Sequence, residues 1–346
     1  MSRFFLLLLS QVVLFVSARV SSEVKEPTCR DTDGYNVCHY MGVLVEVTQR
    51  RFEDRLDISD LDLLAIREDA FKNVTATHLY LNQGNRISVL KRGSFRGLPN
   101  LERLHLDDNV VPLSGHLFAE LGHLQSLSLI FNRIESIPKD SFAGLSSLMW
   151  LYLGHNDIEA IEAESFANPN PSLLYLWLNN NKISRVAPGS FAGLTELSRL
   201  HLDYNQLEGL PSGAFRGLNK LEDLYLNDNR ITSVSRALLR NLVGLRRLYL
   251  QQNDISALEP ETFRELSKLE LLRLDGNKLS HIVTGTFAGL SSLIDLKLSD
   301  NNIRAMDNGA LANLVNLRRL YFGGNNFTEI EREIANLPRV TVITTP

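Results

Sequence analysis

The chain has 346 residues, 44% of them hydrophobic and 22% charged, with a formal net charge of -4. It is long and apolar enough to bury a substantial core, which excludes a disordered chain, a collagen and a disulfide-dense miniprotein. The mild acidity argues against nucleic-acid and anionic-membrane partners, which call for a basic surplus, while 63 leucines demand a structural reason.

The first residues, MSRFFLLLLSQVVLFVSARV, carry a positive Arg3, a mostly apolar run from Phe4 to Val16, and small residues at Ser17 and Ala18. This pattern predicts a secretory signal peptide over residues 1–18, cleaved after Ala18. The apolar run is shorter than the roughly 20 residues of a membrane span, and no later stretch of that length lacks charges. The expectation is a secreted, extracellular protein with no membrane span. Residues 19–52 form an N-terminal cap containing Cys29 and Cys38, the only two cysteines. Export to an oxidising compartment predicts a disulfide between them, with free thiols or bonds to a partner as the alternatives. Asn73-Val-Thr and Asn326-Phe-Thr are N-glycosylation sequons, whereas the proline in Asn170-Pro-Ser blocks that one.

From residue 53 to about 340 the chain repeats. Leu197-Ser-Arg-Leu200-His-Leu202-Asp-Tyr-Asn205-Gln-Leu207 recurs as Leu221-Glu-Asp-Leu224-Tyr-Leu226-Asn-Asp-Asn229-Arg-Ile231, and again from Leu245, Leu269, Leu293 and Leu317. Upstream the frame starts at Leu173, Leu148, Leu124 and Leu101, and more weakly at Ala76 and Glu53, giving about twelve units. In LxxLxLxx the second and third leucines share one face of a strand, because side chains alternate with period 2. A single unit cannot bury its leucines alone; stacked neighbours can. This accounts for the leucine excess.

The pattern LxxLxLxxNxLxxL resembles the leucine-rich repeat in its 24-residue extracellular form, over about five-sixths of the chain. The resemblance implies an α/β fold: a curved horseshoe solenoid with a parallel β-sheet on the concave face and short helical, 3-10 and irregular segments on the convex face. A C-terminal tail, 341–346, follows. The repeats look most like those of Toll-type ectodomains, matrix-associated leucine-rich proteins and secreted leucine-rich immune factors. Such relatives often carry four cysteines in the N-terminal cap and a cysteine-containing C-terminal cap; this chain has neither. The strand-like stretch Val340 to Ile343 would then leave an edge open to self-association or to a partner chain.

Asparagine recurs at position 9 of ten units: Asn109, Asn132, Asn156, Asn181, Asn205, Asn229, Asn253, Asn277, Asn301 and Asn325. An amide both donates and accepts, which suits a buried turn; the resemblance implies a structural ladder between neighbouring turns. In the first unit Leu61 replaces the asparagine, and in the second an extra residue shifts it to Asn85. Phe71, Phe95, Phe118, Phe142, Phe166, Phe191, Phe215, Phe263 and Phe287 recur once per coil as a core spine, with Leu239, Leu311 and Ile334 in their place in late units.

Positions 2, 3, 5, 7 and 8 face outward. Position 5 reads Asp57, Tyr80, His105, Ser128, Tyr152, Trp177, His201, Tyr225, Tyr249, Arg273, Lys297 and Tyr321. His78, Trp150 and Tyr175 stand at position 3, Phe131, His155 and Tyr204 at positions 7 and 8, and Met149 and Leu174 lie beside the two tryptophans. An aromatic binding band centred on Trp150, Tyr152, Tyr175 and Trp177 follows, since tryptophan and tyrosine dominate binding hot spots. The outlying tyrosines are the weaker part of this expectation. Glu222, Arg246 and Glu270, with Asp223 and Arg247, read as a solvated, self-neutralised face of low energetic value, with a polar rim that orients a charged partner as the alternative. No HExxH, GxSxG or phosphate-loop motif occurs, and the carboxylates are too dispersed for a metal site. The expected function is non-enzymatic, cofactor-free binding of a protein or glycan on the concave face; a matrix or carrier subunit and a secreted enzyme inhibitor are the alternatives.

Overall fold

The computed structural model describes residues 26–166, 171–326 and 341–343. The predicted signal peptide, Ile334 and most of the predicted tail lie outside them. Two compact units divide the chain, Met1–Asn156 and Asp157–Pro346.

The first unit opens on an antiparallel meander of Thr28–Thr32, Tyr35–Tyr40 and Val43–Gln49. Asp33-Gly34 and Met41-Gly42 make its two-residue turns, all four with positive φ, as the twist of a tight hairpin requires. Cys29 and Cys38 face each other across the first hairpin and form a disulfide. The third strand runs parallel to Ala65–Ile66 and Phe71–Lys72. The meander therefore joins the repeats through the segments that return from the main strands, and the Tyr35 hydroxyl anchors it to the Glu53 carbonyl.

The main strands of this unit are Arg55–Asp57, His78–Tyr80, Arg103–His105, Ser126–Ser128 and Trp150–Tyr152, parallel and paired residue for residue. Those of the second unit are Tyr175–Trp177, Arg199–His201, Asp223–Tyr225, Arg247–Tyr249, Leu271–Arg273, Asp295–Lys297 and Arg319–Tyr321. Thr341–Ile343 adds one more parallel strand to Arg319–Tyr321. Each three-residue strand of the repeats has a leucine in its centre, from Leu56 to Leu320, buried to within 1%, and outward-facing neighbours on both sides. This parallel-sheet leucine-rich repeat solenoid contains little helix: among the described residues one four-residue turn, Arg236–Leu239, is helical, capped by the Ser235 side chain. Eight of the nine spine phenylalanines are buried, and Phe142 is half-buried.

The asparagine rungs share a recurring bonding pattern. The Asn253 Nδ2 donates to the carbonyls of Leu226 and Leu250 at 2.9 and 3.1 Å, and its Oδ1 accepts from Ile231 N at 2.9 Å. Asn109, Asn132, Asn156, Asn205, Asn229, Asn277, Asn301 and Asn325 likewise donate to the strand carbonyl of the preceding coil and accept from its backbone N–H. Asn181 accepts from Ile158 N and donates within its own turn. Asn85 makes the first rung, between Ile58 O and Leu63 N.

Candidate functional site

Strand alternation sends the first and third residue of each strand to the side away from the leucines, and spacings of about 4.8 Å between strands bring equivalent side chains into stacking range. In the second unit this produces a continuous pile of rings. Trp177 stacks on His201 with centroids 5.6 Å apart, His201 on Tyr225 at 4.0 Å, and Tyr225 on Tyr249 at 4.3 Å, all within 13° of parallel. Tyr175 leans on Trp177 along the same strand at 5.9 Å. In the first unit Tyr80 and His105 stack at 4.6 Å, with the Arg55 guanidinium 4.1 Å over Tyr80, and Phe131 meets His155 at 4.6 Å.

Trp150 and Tyr152 lie, half-buried, on the last main strand of the first unit, with Met149 just before them, and Ser128 in their row is buried with its hydroxyl donating to Asp107. The ring pile of the second unit also takes in Tyr225 and Tyr249, the residues the sequence ranked lower. Aromatic identity is visible in a sequence; which rings sit at equal depth on consecutive strands is not.

The charged face also differs from its expected form. Asp223 is buried, its side chain 2% exposed, between two arginines. Arg199 Nε donates to it from one side at 2.9 Å, and Arg247 grips it from the other with Nε and, at 2.9 Å, Nη2. With the carboxylate buried and the two arginines partly exposed, this is a part-buried clamp, not a solvated pair. Arg246–Glu270, at 2.7 Å and about half exposed, keeps the solvated character expected of the whole face. Arg199 escaped the sequence because the residue before it in the row, Tyr175, is uncharged; its signal is the alternation Arg199, Asp223, Arg247 at one register position.

Beyond the rings, His201 Nδ1 lies 3.1 Å from Asp203, and the Arg273 guanidinium is held by Asp275 at 3.0 and 2.7 Å. Burial, then Tyr249 and Asp223, push the Tyr225 phenol up to about 12. Asp228, then slight desolvation, raises that of the half-exposed Tyr204. Among the described residues no three His, Cys, Asp or Glu side chains converge as a metal site, and no helix is long and apolar enough to cross a membrane. Asn73 and Asn326 are both exposed.

A leucine rich repeat family model matches residues 54–111, 110–158, 146–207, 195–255, 244–303, 267–327 and 291–344. The chain belongs to the leucine-rich repeat family. No curated protein matches it. Among solved leucine-rich repeat structures, TLR13 in a complex with ssRNA13 is 27% identical, with a TM-score of 0.66 over 84% of this chain and 43% of that one. The present chain thus spans less than half the length of TLR13. A leucine-rich repeat protein of Leptospira interrogans is 26% identical, with a TM-score of 0.57 over 81% of this chain and 76% of that one. An internalin of Listeria monocytogenes shares the fold, at 22% identity and a TM-score of 0.59 over 84% of this chain and 86% of that one. The leucine-rich repeat is a scaffold suited to protein binding, and the outward rows of its strands are where this chain presents its aromatic and charged side chains.

Proposed function

We propose that this leucine-rich repeat protein is a secreted, non-enzymatic binding protein that holds a protein ligand against the outward rows of its strands, the side the repeat is expected to make concave. The observation that carries this reading is the ring pile Trp177, His201, Tyr225 and Tyr249, half-buried and braced by the Arg199–Asp223–Arg247 clamp. Rings held in place by their neighbours lose little freedom on binding, and large amphipathic side chains of this kind dominate interface energetics. Secretion rests on the N-terminal sequence, and a non-enzymatic role on the absence of a recognisable catalytic motif. The net charge of -4 disfavours an RNA ligand.

Affinity capture with the full-length secreted protein, read by mass spectrometry, tests the proposal. The expected result is a captured protein that Tyr225→Ala/Tyr249→Ala loses, and that Trp150→Ala/Trp177→Ala loses in part. Each variant is first shown to melt cooperatively. A captured protein retained by the tyrosine double variant, or a nuclease-sensitive ligand, refutes it.

A further inference from the structure

In the second unit the residue three places beyond each strand always turns left-handed. Asn180, Asp228, Gln252, Gly276, Asp300 and Gly324 occupy this turn with φ between 53° and 67°. Asparagine, aspartate and glycine tolerate it well. Tyr204 occupies the same turn at φ 53° and is 52% exposed. The ring fills no core, and it carries a backbone cost that the asparagine, aspartate and glycine at this turn in the same unit largely avoid.

Its surroundings are rich in acceptors. The Asp228 carboxylate lies near enough to the Tyr204 phenol to hold its proton more tightly. Asp228 accepts from Asn227 Nδ2 at 2.8 Å, and Asp203 lies beside the His201 ring. Among the described residues neither carboxylate forms a direct salt bridge with a lysine or arginine; Arg273, on a neighbouring row, is held by Asp275 and feels Asp228 only at longer range. Two residues beyond successive strands, Asn227 and Gln251 are more than nine-tenths buried, and their amide oxygens, Oδ1 and Oε1, accept no hydrogen bond. A buried acceptor without a donor is unfavourable.

We propose that this corner, formed by Asp203, Tyr204, Asn227, Asp228 and Gln251, is a docking subsite for an arginine side chain presented by a protein ligand. The proposal rests on the protein-binding reading and gives that ligand its chemistry. A guanidinium is planar enough to lie on the Tyr204 ring, carries the charge that Asp203 and Asp228 lack, and has five N–H donors and no acceptor, matching a site with surplus oxygens. A lysine ammonium lacks the plane, and an anion or a sugar hydroxyl lacks the charge. The first unit already contains the same arrangement within its own chain: Arg55 covers the Tyr80 ring and donates to Asp57 at 2.8 Å.

Display of random dodecapeptides against the full-length protein tests this. Arginine is expected to be enriched about fivefold in selected peptides, and its replacement by citrulline to weaken binding about tenfold, because citrulline keeps the shape and loses the charge. Tyr204→Asn and Asp228→Asn should abolish the enrichment. Tyr204→Asn installs the residue that Asn180 places in the equivalent turn, so its melting temperature should be unchanged or higher, which separates lost binding from lost folding. Lysine enriched as strongly as arginine, tolerance of citrulline, or enrichment that survives both variants overturns the subsite. Peptides without arginine whose selection depends on Tyr225 and Tyr249 overturn it while leaving the ring-pile reading intact. Selection that depends on neither set overturns both.

Discussion

Asn253 joins three carbonyls and one N–H with a single amide, at 2.9 to 3.3 Å. Asn253→Ala leaves Ile231 N without its acceptor in a buried turn, and at about 1–3 kcal/mol for each orphaned group the expected loss is about 3 kcal/mol, measured by urea unfolding. This role was legible from residue type and spacing alone, since one amide per coil has few other uses. The clamp was not, because it depends on which way two long side chains fold. Arg199→Ala/Arg247→Ala removes both partners of a buried carboxylate and should cost about 3–5 kcal/mol. Asp223→Asn should cost less, since both arginines are partly exposed and can turn to water. Calorimetry of the two variants checks the order. Tyr225 carries a pH dependence. Its phenol ionises near 10 when unfolded and about 12 when folded, so the folded state holds its proton longer. The stabilisation is complete below pH 10 and is lost as pH rises towards 12. Tyr225→Phe, which cannot ionise, should lose stability less steeply over that window in melting curves, and a slope equal to that of the unmodified protein would contradict the assignment.

Turns and short strands were less legible than the repeat itself. Asp33-Gly34 is a strong hairpin signal, but the cap was read mainly through its cysteines, so the three-strand meander and its docking on Ala65–Ile66 emerge only in the fold. The Cys29–Cys38 bridge closes a loop of sequence separation 9 inside one hairpin. Removing it as Cys29→Ser/Cys38→Ser should cost about 2–3 kcal/mol, and amide exchange should quicken in Thr28–Gln49 while the repeats keep their protection. The return segments carry a constraint of their own. Gly217, at φ 92°, sits where an added Cβ would lie 2.8 Å from the Ala192 carbonyl oxygen of the coil before. Its role was hidden because a glycine in a Phe-Arg-Gly-Leu stretch looks like an ordinary turn residue; only the approach of two backbones shows why a side chain is excluded there.

The leucine period was enough to establish the solenoid, because each coil buries the same apolar set and neighbours complete one another's core. The outward surface was legible only in part. Side chains facing outward are free of the period, and what they do depends on pairs and stacks formed across coils. Nearest-neighbour construction also localises damage: Asn253→Ala should raise amide exchange in the coils on either side of it and leave Leu81–Asn132 unaffected. The direction of the asparagine bonds has a wider consequence. Each rung reaches back to the coil before it, and every coil offers the same carbonyl and N–H. Removing residues 224–247 therefore joins Asp223 to Leu248 and regenerates Leu221-x-x-Leu248-x-Leu250-x-x-Asn253 without a seam. The shortened chain keeps its frame and loses one ring from the row, with Tyr249 following His201 directly. Length and surface chemistry can thus be edited a whole coil at a time, like type set in a line, so that duplication or excision of a coil changes what the protein reads without redesigning how it stands.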